Sequence, residues 1–226
     1  MSQRADLISN QKLSEIRFPD KERSQLLHDM FIRTFHGTVS VQGQKYYFTP
    51  GATILVPDSI ENYLKAIGPS SRNMIKKAQK KGYITAIFDW NSRLDDIYKI
   101  NRSSTFRQGK AMPDSYIKYP YKVDYSVNSG TFKVMHLGVF FEDGLVAYLE
   151  LFIYGNFAVC NRILGHKEYL ADGIMNLLIY SAIDRGVTHR DFEFLNYLSM
   201  RNVETNSLSG FKKRVGFSQF LIKSLY

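Results

Sequence analysis

Only one cysteine, Cys160, occurs in the 226 residues. That excludes an intrachain disulfide and any zinc site built on several thiolates. Long apolar runs are missing too. No stretch approaches the roughly 18 residues a membrane helix needs, and the opening "MSQRADLISNQKL" lacks the apolar core of a signal peptide. A soluble, cytoplasmic protein is the default expectation. There is no internal repeat of useful period, no low-complexity segment and no compact GxGxxG or P-loop pattern. Acids are scarce: 21 Asp and Glu stand against 30 Lys and Arg, a formal net charge of +9. That balance suits nucleic acid, a phosphate-rich cofactor or an anionic surface, or it serves solubility alone.

Apolar and aromatic residues are plentiful. Hydrophobic types make up 44% of the chain, with 16 Phe and 15 Tyr, so it can bury a sizeable core and fold. The first thirty residues are polar with scattered apolar positions and predict helical lead-in structure. "GTVSVQGQKYYFT", 37–49, alternates around Gly43 and reads as a β-hairpin. "SRNMIKKAQKKG", 71–82, reads as a helix capped by Ser70 or Ser71 and ended by Gly82. A strand, "YITAIFDW", and a second helix running out at Gly109 follow. The Tyr- and Pro-rich segment 113–130 predicts a long irregular connection.

The second half is more regular. Strands 132–143 and 145–155 flank Gly144, and 157–165 supplies a third. "DGIMNLLIYSAIDRG" predicts a helix with Asp172 at the N-cap and Gly186 just past its end. A short strand "HRDFEFL", a helix or loop, and a last strand "SQFLIKSLY" close the chain. The order implies a mixed α/β sheet of the α+β type.

Several stretches carry chemistry. The strand-to-helix passage "CNRILGHKEYLADGIMNLL" leaves backbone N–H groups at a helix start, a seat for phosphate. In "HRDFEFL" strand alternation puts His189, Asp191 and Glu193 on one face, where a general base could stand; a solvent-facing edge strand competes. His136 and His166 are lone histidines without further ligands at useful spacing, so no metal is expected. Arg72, Lys76, Lys77, Lys80 and Lys81 gather on one helix with no acid among them. They form a candidate phosphate or nucleic-acid strip, with a solvated face as the competing reading. Arg107 and Lys110 add charge, and Tyr116, Tyr119, Tyr121 and Tyr125 offer stacking surfaces. Cys160 sits mid-strand among apolar neighbours and reads as buried and inert.

Five stretches in order, "SSRNMIKKAQKKGY", "IYKINRSSTFRQG", "EDGLVAYLELFIYGNFAV", "GIMNLLIYSAIDRGVTHRDFE" and "SGFKKRVGF", resemble the GNAT acyltransferase superfamily and its FemABX-like, aminoacyl-tRNA-dependent branch. The resemblance covers roughly residues 65–220. It implies a mixed, mainly antiparallel splayed sheet with helices on both faces. Residues 65–226 would be the acyltransferase domain, and 1–64 an extension or partial lobe. The helix opening at Asp172, Gly173 and Ile174, with Gly165 before it, would lie where GNAT enzymes bind the coenzyme A pyrophosphate. Fem-type enzymes carry a Phe-Lys pair followed two residues later by an aromatic-Gly pair. Phe211, Lys212 and Gly216 match it, and Val215 stands in the aromatic position.

The activity implied is transfer of an acyl or aminoacyl group to an amine through a tetrahedral intermediate. Lys212 would stabilise the oxyanion, Asp191 or Glu193 would take the amine proton, and Tyr169 would protonate the leaving group. No tightly bound cofactor is implied; acyl-CoA or aminoacyl-tRNA would be co-substrate. Alternatives are an acetyl-CoA-dependent N-acetyltransferase of a small molecule or protein, and a non-catalytic nucleic-acid-binding module.

Overall fold

A computed structural model describes residues 13–17, 38–41, 44–107, 110–128, 130, 132–199 and 207–225. Its centre is a sheet of nine strands. In chain order these are β1 (Leu13–Arg17), β2 (Thr38–Val41), β3 (Gln44–Leu55), β4 (Ile84–Ile87), β7 (Phe132–Phe141), β8 (Gly144–Tyr154), β9 (Phe157–Gly165), β10 (Phe194–Ser199) and β11 (Ser218–Leu225). The spatial order is β1-β11-β3-β10-β9-β8-β7-β4, with β2 paired to β3. Among the described strands, only β1 with β11 and β10 with β9 run parallel. A separate two-stranded ribbon joins β5 (Phe106–Arg107) to β6 (Lys110–Ala111). The mixed, mainly antiparallel expectation holds. The hairpin of the first 64 residues is built into the same sheet, since β3 lies between β10 and β11.

From Ala147 onward, strand alternation sorts β8 onto two cores: Ala147, Leu149 and Leu151 join the larger cluster, and Tyr148 the smaller one with Trp90, Ile97 and Ile100. Before Ala147 the faces swap, Val146 joining the larger cluster and Leu145 the smaller, where the register of β7 against β8 shifts between Val139 and Phe140. Helices α1 (Ile60–Ala66), α2 (Pro69–Lys80) and α5 (Ile174–His189) cover the first face. Helix α3 (Leu94–Arg102) and the 113–128 segment, with α4 (Asp114–Ile117), cover the second. Ile174, Leu177, Leu178, Ile179, Ala182 and Ile183 are all buried in α5, which is packed between the sheet and the α1–α2 pair. Helix α6 (Ser207–Arg214) then leads into β11.

Several local expectations are corrected. Within the first thirty residues, Leu13–Arg17 is a strand held by parallel pairing to β11; the remainder, like the Gly43 and Gly109 assignments, lies outside the described residues. Helix α2 begins at Pro69 with Gly68 as N-cap, and Ser71 instead donates to the Arg214 carbonyl at 3.0 Å. The second helix stops at Arg102, where Ser103 caps it through its own backbone N–H and side chain. Gly173, at φ +88°, caps α5 in place of Asp172. Gly186 lies inside α5 because a Cβ there would meet Phe192 and Val56 at 3.0 and 3.1 Å. The helix ends only at Arg190 (φ +55°), so β10 starts at Phe194 and only Phe194 and Leu195 of "HRDFEFL" are strand.

Candidate functional site

Strands β9 and β10 pair in parallel only where Phe157–Val159 face Phe194–Asn196. Beyond that they part. β9 continues along β8 to Gly165, while β10 turns through Leu198 at φ +47°. Backbone that separates in this way opens a wedge that side chains or a ligand must fill. A cavity of about 430 Å³ occupies it, with Cys160, Asn161 and Ile163 on the β9 side and Tyr197 and Leu198 on the β10 side. Arg107 and Lys110 of the ribbon, Tyr116 of α4, and Lys212 of α6 close the remaining walls. Among the described residues lining it, three are cationic and none is acidic. A second cavity of about 410 Å³ adjoins the first. The two share Arg107, Met112, Tyr197 and Leu208, and the second extends past Phe211 to Gly165 and Met175.

Lys212 is the centre of the arrangement. Adjacent in α6 to the exposed Lys213 and Arg214, it is only 3% exposed. Its Nζ donates to the Tyr197 carbonyl at 2.5 Å and lies 4.1 Å from the Tyr197 ring centroid. A buried ammonium is costly unless it is hydrogen-bonded or set over a π face, and this one has both supports. Burial still pulls its pKa down to about 8; Cys160 acts against that shift and Arg107 with it. Val215 is fully buried and accepts from the Tyr63 hydroxyl at 3.0 Å, so the position held by an aromatic in the Fem pattern is core here. Gly216, at φ +98°, makes the turn into β11.

Arg107 is half-buried and donates to the Ile163 carbonyl at 2.8 Å, which holds it across the cavity wall. Burial pushes the Cys160 thiol up to about 12, so at neutral pH it is a protonated, unreactive wall of the cavity. Beneath Asn161 lies a polar row that sequence reading did not find. Glu150, 1% exposed on β8, faces His136 on β7 and Arg162 on β9. Its carboxylate accepts from Asn161 Nδ2 at 2.5 Å and lies 3.3 Å from His136 Nε2 and 3.9 Å from Arg162 Nε. Arg162 in turn lies over the Tyr116 and Tyr121 rings at 5.4 and 5.0 Å. The available signal was alternation within "AYLELF", which aims Glu150 with Tyr148 rather than toward solvent.

The other sequence-predicted residues disperse. Asp191 pairs with Arg185 at 2.6 Å beyond the end of α5, and Glu193 is exposed and accepts from Asn156 Nδ2. Neither lines the two cavities, because the segment expected to be a strand is a turn. His189 is the last residue of α5. Tyr169 packs with Tyr83, Phe141 and His166 on a short 3₁₀ turn, also away from both cavities. Asp172 accepts from Lys81 at 2.6 Å and Tyr83 at 2.9 Å, with Lys77 3.5 Å away. Gly173 is pressed on α2, where a Cβ would fall 2.3 Å from the Met74 carbonyl oxygen. Ile174 is fully buried, and of this group only Gly165 lines a cavity.

The cationic strip is also divided. Arg72 donates to the Leu64 and Ile67 carbonyls at the end of α1, and Lys77 donates to the Ala171 carbonyl at 2.7 Å. Lys76 and Lys80 are exposed. Asp172 is the acid that balances Lys77 and Lys81, supplied from 91 residues away in sequence for Lys81.

Solved structures share this architecture. Alignment with FemX covers 88% of this chain and 66% of that one, with a TM-score of 0.61 and 10% identity. Alignment with a conserved protein of unknown function from Bacteroides thetaiotaomicron VPI-5482 covers 88% and 64%, with a TM-score of 0.50 and 11% identity. The fold is GNAT/FemABX-like. This chain spans just under two thirds of the length of each of these two relatives. No protein-family model matches the sequence, and no curated protein matches it. Among the described residues, no helix is long and apolar enough to cross a membrane.

Proposed function

We propose that the protein is an acyltransferase that moves an acyl or aminoacyl group onto an amine in the cleft between β9 and β10. One observation carries this reading: a buried lysine, Lys212, is aimed into the wedge where two central strands of an acyltransferase-like sheet separate. The donor's carbonyl lies beside Lys212, and the amine nitrogen attacks its carbon. A C–N bond forms as the carbonyl π electrons move to oxygen. The Lys212 ammonium, charged below pH 8, donates to that oxygen. Collapse breaks the C–S bond of a thioester or the C–O bond of an aminoacyl ester. The attacking nitrogen's proton leaves with the departing thiol or hydroxyl. The protonated Cys160 thiol takes no covalent part.

The adjoining apolar cavity, lined by Met112, Leu164, Leu208 and Phe211, accommodates the donor's non-reacting portion. The donor is an acyl-CoA or an aminoacyl-tRNA, used as co-substrate. The internal partners of Arg72, Lys77 and Lys81 favour this reading over a nucleic-acid module that works through α2 alone.

The test supplies the purified chain with acetyl-CoA and, separately, with alanyl-tRNA, and uses hydroxylamine as a small acceptor. Protein-dependent hydroxamate from one donor is expected. Salt-sensitive tRNA binding without hydroxamate from either donor would replace this reading with the nucleic-acid module.

A further inference from the structure

The acyl-transfer reading leaves a question at the acceptor nitrogen. An amine attacks only as its free base, yet Asp191 and Glu193 lie outside the cavity and its charged walls are Arg107, Lys110 and Lys212. Among the described residues lining it, Asn161 offers an uncharged acceptor on a side chain fixed by a carboxylate beneath it. The register of β8 against β9 shifts between Glu150 and Leu151, so that Glu150 faces Arg162 and Leu151 faces Cys160. Asn161 is the extra residue of that bulge. Bulges re-aim side chains, and this one lets Asn161 reach both the cavity and the carboxylate beneath it.

A carboxylate accepts hydrogen bonds, so only the Asn161 NH₂ can face Glu150 Oε2 at 2.5 Å. The orientation of the amide is therefore set, and Oδ1 is what it offers a ligand. Glu150 is itself held. His136 Nε2 lies 3.3 Å from Oε1, His136 Nδ1 lies 2.9 Å from the Tyr125 hydroxyl, and that hydroxyl accepts from the Trp90 backbone N–H at 3.0 Å. Arg162 flanks the other oxygen.

We propose that Asn161 docks the acceptor amine through Oδ1, that Glu150 fixes it for that role, and that the cationic lining admits the amine as a free base, selecting an α-amine over a lysine ε-amine. This rests on the acyl-transfer reading. Nearby cations disfavour an ammonium, and a neutral acceptor oxygen does not restore it. The cavity's own amine reports the same environment, since burial, with Arg107 acting alongside, depresses Lys212. A peptide α-amine has an ordinary pKa of about 8 and a lysine ε-amine about 10.4, so at pH 7 the free-base fractions differ roughly 300-fold. Cationic surroundings thus perform the task that a general base performs elsewhere, and Glu150 is a positioning residue that acts through Asn161.

The experiment takes the full chain with whichever donor supports hydroxamate formation and offers glycylglycine or Nα-acetyl-lysine as acceptor. The expected kcat/KM favours glycylglycine by about 100-fold or more at pH 7, and the gap narrows toward pH 10. Asn161→Asp combined with Glu150→Gln keeps a donor beneath the new carboxylate and places its charge beside the docked amine, so the acidic limb of the kcat profile at saturating acceptor moves upward by about one pH unit. Glu150→Gln alone raises the KM for glycylglycine while the donor's Kd stays fixed. Equal or better use of Nα-acetyl-lysine, or an acidic limb unmoved in the double variant, overturns the inference alone. Absence of hydroxamate from both donors overturns the acyl-transfer reading and this inference with it.

Discussion

Lys212 shows how far a short motif can be read from sequence. In "GFKKRVGF" three adjacent cations are indistinguishable by composition. Helical geometry separates them: α6 turns Lys212 inward to Tyr197 and leaves Lys213 and Arg214 exposed. The burial has a consequence for stability. Lys212 has a folded pKa of about 8, against an ordinary lysine value near 10.5. Between those values the folded state releases its proton while the unfolded chain keeps it, so stability rises with pH through that window. Lys212→Met removes the penalty. Its stabilising effect relative to wild type is expected to be largest below pH 8 and to shrink by about 3 kcal/mol toward pH 10.5, as read from urea midpoints. Cys160 gives a second check. With its thiol pushed up to about 12, alkylation by iodoacetamide at pH 8 should be at least about 100-fold slower in the folded protein than in urea.

The elements were legible where periodicity is strong. The β7–β8–β9 meander follows the turns at Gly144 and Gly155, and α5 forms within the stretch where the sequence predicts a helix. The passage after α5 was misread for a physical reason. Phe192, Phe194 and the intervening charged residues alternate like a strand, but helix α5 runs past Gly186 because that glycine is a packing contact and not a cap. The supposed catalytic face of Asp191 and Glu193 disappears with that shift. Asp172 was misassigned for a similar reason: its partners Lys77, Lys81 and Tyr83 are distant in sequence, and they outcompete a local capping role. Gly173 carries the turn in its place. Gly173→Ala combines a positive φ with a Cβ driven into the Met74 carbonyl. A loss of about 2 kcal/mol or more, with a lower Tm and weaker docking of α2 on α5, is expected. An unchanged Tm would mean that the α2–α5 contact yields easily.

At the scale of the molecule, the resemblance carried in five short stretches anticipated the sheet and its helices, and FemX shares that architecture over 88% of this chain. What composition could not convey was the place of the N-terminal hairpin. β3 bridges β10 and β11, so the strand carrying Tyr197 and the strand following Lys212 are joined through residues 44–55. Deleting residues 1–58 is therefore expected to abolish cooperative thermal unfolding rather than trim an appendage; a truncated chain with a sharp, unchanged melt would contradict this. Net charge was equally uninformative about site. Among the 30 Lys and Arg, Arg72, Lys77 and Lys81 make structural contacts, whereas Arg107, Lys110 and Lys212 line the cleft. The central claim is that Lys212 acts in the cleft between β9 and β10. Its most direct test is the single-turnover transfer rate to hydroxylamine at saturating donor, with Kd measured in parallel, for wild type and Lys212→Ala. A rate lower by about 100- to 1,000-fold at unchanged Kd is the expected result. Equal rates in the two proteins would contradict the account.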